Sequence, residues 1–209
     1  MTDHTRTENP RRAIFNELAP EWDSTVVRTP EQSTTLRSVI ASLSLAEDSV
    51  ILDVGCGTGV LVPYILPFIG RNGSYTGMDV SDGMIAEANR KFSDPRIRFL
   101  AGDIYECQPE TNVYDAVIAF SAFPHLHDKG TALDIFHRLL KPGGKLCIVH
   151  VDSSRNINAY HGGKVRNQVL KSDYLPTLDE MHTMIDPALW ALEDEQDREG
   201  LYLLILKRR

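Results

Sequence analysis

The residues that carry the clearest chemistry are Asp53-Val54-Gly55-Cys56-Gly57-Thr58-Gly59, set between two short apolar runs. Glycines let a chain turn sharply and let a ligand lie against bare main chain, and a helix that follows offers unpaired N–H groups and a positive dipole end. The spacing is G-x-G-x-G rather than G-x-G-x-x-G, and Asp53 stands two positions ahead of the first glycine. An acid there repels a pyrophosphate but suits a cationic ligand whose one anion is a small carboxylate. Two more acids follow apolar runs. Asp79 is placed to accept both hydroxyls of a ribose, as the acid of nucleotide-binding folds does. Asp103, in Gly102-Asp103-Ile104, is placed to accept the amino group of an adenine, with Ile104 and Met84 supplying apolar faces to the ring.

Four histidines form the second set. His125 and His127 stand in Phe120-Ser121-Ala122-Phe123-Pro124-His125-Leu126-His127, His150 ends another apolar run, and His161 lies in a polar stretch. An imidazole titrates near neutrality and suits a general base, so His125, His150 and His161 are the candidate catalytic residues. All four are expected to converge above one sheet edge. With Asp152 they also have the ligand types of a zinc, iron or nickel site, although no metal is assigned. Taken singly, each histidine reads equally as a hydrogen-bonded or surface residue. Cys56 reads as a small packing residue inside the glycine loop.

These residues need a frame. Strand-like apolar runs fall at Val50–Val54, Ser74–Met78, Ile97–Ala101, Tyr114–Phe120, Lys145–Val151 and Leu201–Leu206. Helical spacing falls between them at Val60–Ile69, Gly83–Phe92, Gly130–Leu140 and Leu178–Ile185, and two or three short helices precede them from Ala13 to Leu45. Alternating strands and helices, with strands apolar at nearly every position, predict an α/β fold with a mostly parallel sheet covered on both faces. Residues 1–12 are polar and expected to be loose until pinned. Asp152–Pro176 is polar and too long for an ordinary connection, which predicts a substrate-side cap. Glu193–Glu199 reads as a solvated acidic turn.

Five segments in order, Asp53–Gly59, Tyr75–Val80, Leu100–Ile104, Tyr114–Phe120 and Leu139–Ile148, resemble the motifs of class I S-adenosylmethionine-dependent methyltransferases. The resemblance covers residues about 50 to 150. It implies a Rossmann-like seven-stranded sheet of order 3-2-1-4-5-7-6, last strand antiparallel, with Glu199–Lys207 as that strand. S-adenosylmethionine is a cation with one small carboxylate, and the resemblance assigns it to Asp53, Gly55, Gly57, Gly59, Asp79, Val80, Met84, Asp103, Ile104 and Phe120. Phe15–Asp23 is similar to the aromatic entry segment of small-molecule members related to quinone-biosynthesis C-methyltransferases, which adds Trp22 over the cofactor. The N/D-P-P-Y signature of many amine methylators is replaced by Phe120-Ser121-Ala122-Phe123, leaving O-, S- and C-methylation open.

The 209 residues suit one domain, divided as 1–45 (helical segment), 46–151 (cofactor core), 152–176 (cap) and 177–209 (last helix and strands). With 42% hydrophobic and 24% charged residues the chain is an ordinary globular one. Its 22 Lys+Arg against 29 Asp+Glu, a net charge of −7, argue against nucleic acid or anionic lipid as partner. A small-molecule acceptor is expected, with the protein a monomer or homodimer. Cys56, Cys107 and Cys147 have neither disulfide-framework nor zinc spacing, and no signal peptide or membrane span is visible, so a cytoplasmic location is expected. The other readings are a regulatory module that holds the cofactor without turnover, and a macromolecule methyltransferase that acts with a partner.

Overall fold

A computed structural model describes residues 9–27, 29–106, 110–165 and 167–209; Cys107 lies outside them. Seven strands form one sheet: β1 (Val50–Val54), β2 (Ser74–Asp79), β3 (Ile97–Ala101), β4 (Tyr114–Phe120), β5 (Leu140–His150), β6 (Trp190–Arg198) and β7 (Leu201–Arg208). Their order is β3-β2-β1-β4-β5-β7-β6, with β1 to β5 parallel and β7 antiparallel to both neighbours, as expected.

Nine α-helices are described: α1 (Arg11–Leu18), α2 (Asp23–Val26), α3 (Pro30–Ser42), α4 (Val62–Ile65), α5 (Asp82–Lys91), α6 (Lys129–Leu139), α7 (Ser154–Gly163), α8 (Gln168–Lys171) and α9 (Leu178–Met184). Six of them start at a side chain that accepts an orphan N–H group. Thr29 and Gln32 form a capping box on α3, Thr177 and Glu180 another on α9, while Ser81 and Asp128 cap α5 and α6. Each such cap stabilises its helix by roughly 1 kcal/mol.

Strands buried on both faces divide the core in two. Cys147 and Val149 of β5 face a layer with Leu36, Ile40, Ile65 and Phe99, while Leu146 and Ile148 face Phe136, Met181 and Tyr202. Alternation along a strand with period two explains why the run is apolar throughout.

Two expectations need correction, and two further segments gain detail. The helix expected over Val60–Ile69 is only Val62–Ile65 between turns; Leu66 still holds helical geometry, but Pro67 has no N–H with which to continue the ladder. Glu193–Glu199 is not a turn: all but its last residue belong to β6, whose charged side chains suit a sheet edge. Within Asp152–Pro176, the segment expected to form a substrate-side cap, lie α7 and α8. Of residues 1–12, those described are tied down: Asn9 bonds Asp103, Arg11 pairs with Asp173, and Arg12 with Asp82 at 3.0 Å.

Candidate active site

The glycine loop turns away from the C-terminal end of β1, at the point where the order of strands reverses between β1 and β4, the usual ligand crevice of such sheets. The N–H groups of Gly55 and Cys56 both bond the Met78 carbonyl, at 2.8 and 3.0 Å, which fixes the loop to β2. Gly55 and Gly57 have φ of +73° and +53°, the left-handed region where a side chain is strained. A Cβ on Gly55 would stand 2.4 Å from that of Ala122. The loop therefore needs glycine for both conformation and space.

A cavity opens beside this loop, across the ends of β1, β2 and β3. Trp22, Gly55, Gly57, Asp79, Val80, Met84, Asp103 and Ile104 all line it. Asp53 and Phe120 instead line a smaller recess of about 260 Å³ behind Trp22 and Gly55. Gly59 lines none of these; a Cβ there would stand 2.8 Å from Phe92, so its bare backbone serves close packing.

The three acids are partly engaged. Asp79 accepts N–H bonds from Gly57 and Ser81, each at 2.9 Å, yet burial pushes its carboxyl up to about 6. Asp103 accepts from Asn9 Nδ2 at 2.7 Å and from the Tyr105 N–H at 3.0 Å. Asp53 is 1% exposed and accepts the Tyr75 hydroxyl at 2.5 Å, while its Oδ1 has no partner among the described residues. Burial, opposed by the tyrosine bond and reinforced by Asp79, raises the Asp53 carboxyl to about 7. A buried, half-satisfied carboxylate beside a glycine cradle fits an ammonium or sulfonium ligand with its own carboxylate.

A larger cavity lies on the other side of Trp22, bounded by α1, α7 and α8. His125, His150 and His161 all line it. His127 does not join them: its ring stacks against Tyr105 at 4.1 Å between centroids, which corrects the expectation that all four histidines converge. Among the described residues no group of three or more His, Cys, Asp or Glu is placed to hold a metal ion. Four residues, Phe15, Trp22, Ser121 and His125, line both cavities and form their junction. Ser121 holds φ of +54°, a strained conformation for a serine, where β4 ends between the cavities.

Sequence reasoning missed Asp173. Its carboxylate pairs with Arg11 and with His125 Nδ1 at 2.5 Å, and its carbonyl accepts from His161 Nδ1 at 2.9 Å. No local signal marks it, since these partners lie 162, 48 and 12 residues away. Burial pushes the His125 imidazole below its ordinary value, with the Asp173 carboxylate opposing. His150 sits deeper, 3% exposed, and burial lowers it to about 3.

The stretch 51–144 matches a family described as a methyltransferase domain. Relatives include malonyl-[acyl-carrier protein] O-methyltransferase of Priestia megaterium, 28% identical over 132 residues that make up 63% of this chain and 47% of the relative. Demethylmenaquinone methyltransferase of Staphylococcus aureus is 24% identical over 69% of this chain and 61% of its own. The chain thus spans about half the length of the first of these and three fifths of the second. The fold matches a SAM-dependent methyltransferase from Aquifex aeolicus (TM-score 0.69, 16% identity, 95% of this chain and 98% of the other). It also matches magnesium protoporphyrin IX methyltransferase from Synechocystis with bound SAH (TM-score 0.70, 15% identity, 95% and 98%). No helix among the described residues is long and apolar enough to cross a membrane.

Proposed function

We propose that this protein transfers a methyl group from S-adenosylmethionine to a small-molecule acceptor through an oxygen, sulfur or carbon nucleophile. The observation that carries the reading is the junction: Phe15, Trp22, Ser121 and His125 line the cavity beside the glycine loop and the histidine-lined cavity alike. When bound, the cofactor supplies a methyl group on a good sulfonium leaving group, so positioning and exclusion of water do much of the work. The protein's own residues divide the tasks. Asp53 and the bare loop from Gly55 to Gly57 receive the amino-acid end, Asp79 the ribose hydroxyls and Asp103 the adenine side, between Met84 and Ile104. Trp22, wedged between the cavities, keeps water from the transfer point, and His125 Nε2 takes the acceptor's proton.

Residues 152–176 serve as the acceptor-side cap, because α7 and α8 wall the second cavity. A concave, largely apolar cleft and a net charge of −7 favour a small acceptor over a nucleic acid. Buried, unpaired Cys56 and Cys147 suit a reducing, cytoplasmic setting. Calorimetric titration with S-adenosylmethionine and, separately, S-adenosylhomocysteine tests the reading. Micromolar binding is expected, followed by transfer of labelled methyl groups in an acceptor screen; no binding of either by the folded protein overturns it.

A further inference from the structure

Asp173 stands behind the histidines rather than beside the acceptor. Its side chain is 1% exposed and it lines neither cavity, whereas His125 and His161 line the larger one. Hydrogen-bond chemistry then fixes both tautomers. A backbone carbonyl only accepts, so His161 Nδ1 carries a proton to give the Asp173 oxygen at 2.9 Å. The Asp173 carboxyl is held below its usual range by the His125 and Arg11 hydrogen bonds against the opposing effect of burial, so it is ionised and also only accepts. His125 Nδ1 therefore carries a proton too, at 2.5 Å. The rings lie 5.4 Å apart, tilted by 37°, and both turn the Nδ1 edge to Asp173 and the Nε2 edge away from it. Nearby His150 adds a buried Nε2 with no partner among the described residues.

The same carboxylate absorbs the Arg11 guanidinium. Arg11 gives Nε and a terminal nitrogen to Asp173 and so offers no free charge to an anion. Lys164, the described cation that lines the larger cavity, is exposed at its rim. The walls between are apolar: Ile14, Val26, Pro124, Ile157 and Leu170.

We infer that Asp173 is a positioning residue that presents His125 Nε2 and His161 Nε2 as paired neutral proton acceptors, and that the methyl acceptor enters as an uncharged molecule bearing hydroxyl donors on an apolar body. A carboxylate beside the two rings meets lone pairs, and Lys164, the one described Lys or Arg that lines the larger cavity, is solvent-exposed. The identity of the ligand as methyl acceptor rests on the proposed function; the tautomers do not, and they are read without cofactor or acceptor. Failure of the one is thus distinguishable from failure of the other.

Long-range ¹H–¹⁵N correlation spectra of histidine-labelled full-length protein at neutral pH test the assignment. His125 is expected neutral with Nδ1 protonated, and His161 is expected to carry its Nδ1 proton. In D173N the amide nitrogen donates to His125 Nδ1, so His125 switches to the Nε2–H form while His161, bonded to the backbone, keeps its tautomer. R11Q, which breaks the ion pair alone, leaves both unchanged. An imidazolium or Nε2–H form of His125 in the unaltered protein, or the same change in R11Q as in D173N, overturns the positioning role. With catechol as the titrated probe, the Nε2 resonances of His125 and His161 move, and with benzoate they do not. Movement with benzoate, or with neither probe, overturns the uncharged acceptor.

Discussion

The indole of Trp22 rests on Gly57: a Cβ built on that glycine would stand 2.7 Å from the indole Nε1. Gly57 also donates its N–H to Asp79 Oδ2 at 2.9 Å. One residue thus joins the aromatic entry segment, the glycine loop and the acid at the end of β2. The contact is supported from the side by Asp23, next to Trp22, which accepts from Lys91 at 2.8 Å and from the Thr58 hydroxyl.

Substituting Gly57 by alanine should therefore disturb ligand binding more than folding. A left-handed alanine costs roughly 1–2 kcal/mol, and the methyl group also displaces the indole. We expect S-adenosylhomocysteine affinity to fall at least tenfold by calorimetry, with the melting curve still cooperative. Unchanged affinity would show that the Trp22–Gly57 contact lies outside the cofactor site.

The Asp53 carboxyl makes binding depend on pH. Its folded value of about 7 lies above the ordinary 3.8, so its contribution to apo-protein stability is full below about pH 4 and lost as pH rises through 7. A cation seated beside Oδ1 reverses this by favouring the ionised form. Affinity for S-adenosylmethionine should then rise with pH, by up to about tenfold per unit between roughly pH 5.5 and 6.5, and level off above 7. Calorimetry across that range checks it, and D53N should flatten the curve. A slope that survives D53N would assign the titration elsewhere.

The sequence showed the sheet and the cofactor side more fully than the acceptor side, for a physical reason. β1 to β4 and the glycine loop are written locally: apolar runs, turn residues and acids at strand ends lie within a few positions of one another. The apolar pattern of β6 is hidden because an edge strand with charged faces looks like a turn. Asp173 and Arg11 were invisible since their roles come from contacts 162 residues apart. His127 looked equivalent to His125 two positions away, but the 3-10 turn at Phe123–His125 ends between them, and only His125 faces the cavities. The strain at Ser121 has no signature in residue type.

The histidines should separate by readout. His125 lies at the junction, so H125A should lower turnover by about 10²–10⁴, the range for losing a general base. His150 lines only the larger cavity, so H150A should leave cofactor affinity intact and lower turnover less, on the order of tenfold. Burial keeps His150 neutral across the working range and lowers His125, so kcat at saturating cofactor should hold its plateau to below pH 6.5 on the acid side. Equal loss of affinity and turnover in H150A would mean that the residue is structural.

Tyr202 provides a test of the core beneath this site. It is fully buried, pairs in register with His150 across β5 and β7, and meets that ring edge-on at 6.1 Å. Its hydroxyl has no hydrogen-bond partner among the described residues, and burial raises its pKa. An unsatisfied buried hydroxyl costs about 1–3 kcal/mol, while its ring contributes apolar burial that phenylalanine retains. Y202F is therefore expected to raise stability by about 1 kcal/mol, which at this size moves the melting temperature up by roughly 2–4 °C. Destabilisation by Y202F would show that the hydroxyl has a partner in solution, and His150, with its own unpaired Nε2, is the first residue to examine for a shared water.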